Sequence, residues 1–124
     1  MWGFFIIFGY MNDKIHPKRL NFFMKEIRNN YPETENTENY RFYYLYTDYE
    51  KEQEYLFVIV SEHALNREGK KLNQSLDLWC GLFGFTNATI MLEDDFQRVI
   101  ETQVDILQKT IRGTKYCSMF IEVW

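Results

Sequence analysis

The side chains best equipped for chemistry are scattered along this chain. His16 and His63 are far apart in sequence, one where a helix opens and one just after a strand-like run, and neither stands in an acid–base or ligand spacing. Cys80 falls on an apolar helical face and Cys117 in an apolar run, the surroundings of buried, unbridged thiols rather than of reactive thiolates. No CxxC or HExxH occurs, so neither a metal nor another cofactor is expected. "GLFGF" has neither the glycine spacing nor the following lysine of a phosphate loop. Glu93, Asp94 and Asp95 offer oxygens to a hard cation, but acids in a first helical turn also complement the helix dipole. The chain is expected not to be an enzyme.

What stands out instead is the placement of charge. From Pro32 to Glu54 there are seven acids against two bases, a net charge of −5, while the remainder, with eleven acids and twelve bases, carries +1. Within that segment "YTDYEKEQEY", Tyr46 to Tyr55, alternates rings with carboxylates between two apolar runs. Solvation alone explains an acidic loop. Interleaved aromatics fit a protein interface better, because a ring brings contact area and a hydroxyl brings direction. Tyr46, Asp48, Tyr49, Glu50, Glu52 and Glu54 are therefore the candidate partner-binding residues, with Asp77 second. Direct nucleic-acid binding is disfavoured because the lysines and arginines are dispersed.

The elements that must position these residues follow from periodicity. Trp2 to Phe8 is a continuous apolar run, expected as a strand covered on both faces. Pro17 suits the first turn of a helix, and Leu20, Phe23, Met24 and Ile27 form its apolar stripe. "PETENTEN" is expected as a polar loop. Tyr40–Thr47 and Tyr55–Ser61 are expected as antiparallel strands joined by the acidic stretch. Leu72, Leu76, Trp79, Cys80 and Phe83 define a helix over Gly69–Gly84, with Leu78 and Leu82 widening its buried arc and Gly84 ending it. Ala88–Leu92 is a short strand. A helix follows whose stripe is Phe96, Val99, Ile100, Val104, Leu107 and Ile111, with Gly113 at its end. Tyr116–Trp124 is too apolar for a frayed tail and belongs inside the sheet.

The expected fold is thus α+β: one domain over residues 1–124, a single mixed sheet of about five strands with three helices packed on it, in the order β-α-β-β-α-β-α-β. The last three elements form a β-α-β unit, right-handed if its strands are parallel neighbours. The N-terminal apolar run has no preceding base and ends early at Gly9, Asn12 and Asp13, unlike an export signal, and is too short to span a bilayer. A cytoplasmic protein without membrane contact is expected.

The stretch "NQSLDLWCGLFGF", then "TIMLEDDF", a long helix and "CSMFIEVW", resembles the C-terminal part of barstar-type proteins, small acidic inhibitors that block a ribonuclease active site. The match lies in Leu78-Trp79, Leu82 and Gly84-Phe85, followed by a strand-helix-strand unit, and covers about two fifths of the chain. The chain departs from that pattern at Cys80 and Leu76, where the family carries aspartates, and the hairpin over Tyr40–Ser61 has no counterpart. In size, acidity and lack of catalytic motifs the chain also resembles the small bacterial immunity proteins of contact-dependent inhibition. These resemblances imply an immunity protein whose partner is a basic, nuclease-type toxin domain, with the binding residues moved to the acidic hairpin. The alternatives are a small-molecule-binding or enzymatic α+β domain, and a structural subunit that hides its aromatic surface by oligomerising.

Overall fold

The computed structural model describes the backbone of residues 2–9, 17–47, 51, 53–110 and 117–123, and the side chains of 18–46, 51, 53–102, 122 and 123. It is a mixed α+β fold with strands and helices in roughly alternating order. Strand β1 (Trp2–Gly9) precedes helix α1 (Pro17–Asn30) and a 3-10 turn (Pro32–Glu35). Strands β2 (Tyr40–Thr47) and β3 (Gln53–Val60) form the hairpin. Helix α2 (Glu62–Ala64) continues through a π-helical turn (Leu65–Gly69) into α3 (Lys70–Phe83). Strand β4 (Asn87–Met91), helix α4 (Glu93–Thr110) and strand β5 (Cys117–Val123) complete the order.

The five strands form one sheet in the order β1-β5-β2-β3-β4. All neighbours are antiparallel except β3 and β4, which run parallel. Strand β5 lies inside the sheet, as its apolar composition requires. Its neighbour is not β4, so the last three elements do not form a unit of adjacent parallel strands. The parallel pair is β3 and β4, joined through α2 and α3, the long crossover that parallel pairing demands.

Helices cover both faces of the sheet. Tyr40, Phe42, Tyr44 and Tyr46 of β2, with Leu56, Val58 and Val60 of β3, pack against Leu20, Phe23, Met24 and Ile27 of α1 and Leu72, Leu76, Trp79 and Cys80 of α3. The odd-numbered residues Tyr43, Leu45, Phe57 and Ile59 meet Phe96 of α4 on the other face, with Val99 and Ile100 half-buried beside it. Phe96 sits 4.5 Å from the Tyr43 ring and 5.6 Å from the Phe57 ring, centre to centre. The period of two along β2 thus serves two cores at once, which is why that strand is aromatic or aliphatic at nearly every position.

Several local details differ from expectation. Residues 32–35 form a 3-10 turn, not an open loop, and buried Thr34 donates its hydroxyl to the Tyr31 carbonyl at 2.7 Å. The second helical segment begins at Glu62, well before Gly69, because the Ser61 hydroxyl accepts the Ala64 N–H at 3.1 Å and caps it. Leu78 and Leu82 do not widen the buried arc of α3; they are 65% and 73% exposed. Gly84 ends α3 in the left-handed region at φ 74°, where a side chain is disfavoured.

Cys80 is buried and unbridged, and its thiol donates to the Phe85 carbonyl at 3.2 Å. Burial first, then the charge of Asp77, raises its pKa, keeping the thiol protonated. The side chain of Cys117 lies outside the described residues. Trp79, 8% exposed and edge-on to Tyr31 at 6.1 Å, belongs to the core. Replacing Trp79 by Ala is expected to cost about 3–5 kcal/mol, read from the urea midpoint at unchanged m-value.

Candidate interaction surface

The ladder fixes where the paired strands of the hairpin end. The ladder runs from Tyr40↔Val60 to Thr47↔Gln53, leaving residues 48–52 as the connection between the last paired positions. Asp48, Tyr49, Glu50 and Glu52 lie outside the described residues, and Lys51 between them is exposed. By sequence this tip carries three acids and one base.

Two of the residues expected at its rim face inward. Tyr46 is fully buried and Glu54 only 6% exposed, so neither presents surface to a partner. The reason is the period of two: Glu54 shares its face with Leu56, Val58 and Val60, and Tyr46 shares its face with Tyr44 and Phe42, all toward α1 and α3. A carboxylate so placed needs partners. Arg19 of α1, whose side chain is 37% exposed, supplies a charged hydrogen bond to Oε1, and the Tyr44 hydroxyl donates to Oε2 at 2.7 Å, diagonally across the ladder. The Glu54 backbone is held as well: its N–H donates to Thr86 Oγ1 at 3.1 Å, and its carbonyl accepts the Thr86 N–H at 2.8 Å. The absence of a Cβ at Gly84 leaves room for the Arg19 guanidinium, since a Cβ there would lie 3.1 Å from Nη1.

This root gathers four elements at one end of the molecule: the hairpin, the start of α1, the end of α3 and the turn into β4. On its outer side Lys18, Arg19, Phe22, Leu82 and Phe83 line a shallow depression. Phe22 is 61% exposed, and Leu78 continues the apolar surface one turn back along α3 from Leu82. Asp77 is exposed beside Leu78. None of Arg19, Phe22 or Tyr44 was a sequence candidate, and Leu78 and Leu82 were placed in the core. The signal for Phe22 was its position off the Leu20, Phe23, Met24 and Ile27 stripe.

The second acidic stretch, Glu33, Glu35 and Glu38, stands at the opposite end of β2. These acids precede the Tyr40 end of β2, whereas the hairpin connection follows its Thr47 end, about 25 Å along the strand. A hydrogen bond with Glu33 raises the Glu68 carboxyl above the ordinary range there, so the acids of that pole also meet one another.

A cleft of about 490 Å³ opens near this second pole, lined among others by Arg28, Thr34, Tyr40, Arg41 and Glu122 over an apolar floor of Phe42 and Val123. The Arg28 guanidinium carbon lies 5.9 Å from the Phe42 ring centre. Arg41 pairs with Glu122 at 3.3 Å.

His63 is exposed in the short α2 helix, and His16 lies outside the described residues. Glu93, Asp94 and Asp95 occupy the exposed first turn of α4. Among the described residues no group of three or more His, Cys, Asp or Glu side chains is placed to hold a metal ion, and no helix is long and apolar enough to cross a membrane.

Fold and site together define a mixed α+β domain with a rooted hairpin and an apolar patch beside its base. No protein-family model, curated protein or solved structure matches the chain. The helix that carries the barstar-like residues turns Leu76, Trp79 and Cys80 into the core, so the positions corresponding to that family's contact aspartates, Leu76 and Cys80, are not at the surface.

The root has a measurable signature. Removing one partner of a buried pair costs about 3–5 kcal/mol, and partial exposure of Arg19 favours the lower end. Arg19→Met is therefore expected to lose about 3 kcal/mol, and far less in a Glu54→Gln background, as a double-mutant cycle in urea would show. Burial first, then the bond to Glu54 and its charge, raises the Tyr44 pKa above the usual 10.0. The folded state thus favours the protonated hydroxyl: its contribution is complete below pH 10, where the unfolded chain begins to ionise, and is lost as pH climbs beyond. Tyr44→Phe is expected to flatten the stability loss between about pH 9 and 11, followed by circular dichroism and phenolate absorbance.

Proposed function

We propose that this protein is a cytoplasmic immunity protein that binds a basic, nuclease-type toxin domain and occludes its active site. The observation that supports the reading is the rooted hairpin. An acidic, tyrosine-bearing segment is carried beyond the last rung of a five-stranded sheet, and its base is pinned by Glu54, Arg19 and Tyr44. A groove that holds phosphates is positive, so a negative tip on a rigid base is steered toward it and held off from acidic surfaces. The inward turn of Tyr46 and Glu54 narrows the binding residues to Asp48, Tyr49, Glu50 and Glu52, with Asp77 on the adjoining helix. Pre-ordering the base limits the entropy lost on binding.

The test leaves the root intact. In Asp48→Asn/Glu50→Gln/Glu52→Gln, association with the toxin domain encoded beside this protein is expected to slow about tenfold at low salt, the effect shrinking at high salt as screening shortens to about 8 Å or less. Stopped-flow mixing at two ionic strengths measures it. Equal rates for the variant and the parent at both salts would remove the tip from the interface.

The cleft supports a second reading, a small-molecule-binding domain. Arg28 over the Phe42 ring, with Arg41 also lining the cleft, suits a ligand with a flat apolar body and an acidic group. On that reading, aromatic carboxylates raise the melting temperature of the parent protein but not of Arg41→Ala; a panel without effect on either dismisses it.

A further inference from the structure

We infer that the outer edge of β4 pairs with the same edge of a second copy of this chain, joining two sheets into one across a two-fold axis at Thr89. The inference does not depend on the proposed function. In the order β1-β5-β2-β3-β4 the sheet ends at β1 and β4. An edge strand offers its outward N–H and C=O groups to any strand that can reach them, and proteins blunt such edges with charge, proline or a bulge. The β1 edge carries a bulge, between Ile6 and Phe8. The β4 edge has none of these devices. Asn87–Met91 reads NATIM, without charge or proline, and it pairs with β3 in unbroken register from Tyr55↔Asn87 to Ile59↔Met91. Among the described residues no hydrogen bond beyond that ladder reaches the main chain of residues 87–91. Both cores are also unfinished on this side: Ile90 and Leu92 are half-buried against the α1 and α3 core, and Met91 is half-buried against the α4 core.

The composition of the strand selects the occupant. A two-fold contact sets one patch against itself, and antiparallel pairing about Thr89 is the register that pairs every residue of β4. Thr89 then opposes Thr89 of the other copy, Ala88 opposes Ile90, and Asn87 opposes Met91. Ala88 and Ile90 share the face of Leu56 and Val58, under α3, so on that face each large side chain meets a small one. Thr89 shares the face of Phe57, where two threonines form a favourable cross-strand pair. Charge permits the match. The strand is neutral, so it gives a charged segment of another protein nothing to pair with. Glu93, Asp94 and Asp95, just past its end, fall at opposite ends of the joint. The two Glu93 stand about 25 Å apart, well beyond the screening length of about 8 Å. The pairing is closed as well: it consumes the β4 edge of each copy and leaves the bulged β1 at the outer ends, so it stops at two copies. One strand pair buries less than the standard interface of about 800 Å² on each partner, so the dimer is reversible and forms at roughly micromolar concentration or above.

Sedimentation equilibrium of the full chain from about 1 µM to about 300 µM is expected to show the mass rise from monomer to dimer by mass action. Thr89→Lys sets two like charges directly across the axis. It is expected to stay monomeric throughout and to keep the melting curve of the parent at the lowest concentration. Single cysteines test the register. Thr89→Cys brings two thiols within the Cα separation of about 4.4–6.8 Å that a disulfide needs, whereas Asn87→Cys leaves its two about 13 Å apart. Mild oxidation is expected to cross-link Thr89→Cys about tenfold faster than Asn87→Cys, with the parent, in which Cys80 is buried, as the baseline. A parent that is monomeric at every concentration overturns the inference. So does a parent dimer in which Thr89→Cys cross-links no faster than Asn87→Cys, or a Thr89→Lys variant that melts like the parent and still dimerises. A parent dimer with the expected cross-linking upholds it even where Thr89→Lys lowers the melting temperature.

Discussion

The carboxylate of Glu54 is enclosed within the face of the sheet that α1 and α3 cover, and that single burial constrains everything around it. It fixes the register of the hairpin, because a slip of one residue would turn Glu54 toward α4 and away from both of its partners. It fixes the start of α1, because Arg19 must reach it. It calls for a tyrosine at position 44, since the hydroxyl closes the second carboxylate oxygen. It also ties the turn after α3 to the hairpin through Thr86, with Gly84 making space for the arginine. A buried ion pair is weak evidence of net stability. Its effect here is specificity: only one arrangement of hairpin, helix and turn satisfies the carboxylate.

The two-sided sheet explains the unusual aromatic content, 19% of the chain. A central strand under helices on both faces has no solvent side, so β2 places rings or aliphatic chains in two cores. Tyrosine serves where the ring is buried and the hydroxyl finds a partner near the edge, as Tyr31 does with Ser75 at 2.8 Å and Tyr44 with Glu54. The aromatic composition therefore belongs largely to the architecture, and the exposed rings and aliphatics that remain are the more informative for it.

The succession of strands and helices was legible because their stripes are strong. Leu20, Phe23, Met24 and Ile27 are all buried, as are Leu72, Leu76, Trp79 and Cys80. The beginning of the long helical segment was not. Its π-helical turn over Leu65–Gly69 shifts the phase between Ala64 and Leu72, so the 3.6-residue period does not run through it. Leu78 and Leu82 looked buried because periodicity records apolar neighbours and not what faces them; α1 and the sheet fill only one arc of α3. Strand order escaped for a different reason: pairing of β5 with β1 and β2 joins residues far apart in sequence, and no local pattern encodes it. At the site, Glu54 looked like one more solvated acid of the tip, although its even spacing from Leu56, Val58 and Val60 already placed it on the core side. Glu50 and Glu52 share that spacing but fall beyond the last rung, where the ladder no longer dictates a face.

The root also sets the manner in which sequences of this kind diverge. Arg19 and Tyr44 each satisfy one oxygen of Glu54, so losing Glu54 strands both and losing either leaves the buried carboxylate short of a partner; descendants keep the trio or exchange it together for an apolar set. Phe22, Leu78 and Leu82 are exposed and carry no such debt to a neighbour. Each is open to replacement one step at a time, so that surface can vary while the scaffold beneath stands still. Among homologues, covariation should therefore be concentrated at the root, and independent variation immediately outside it.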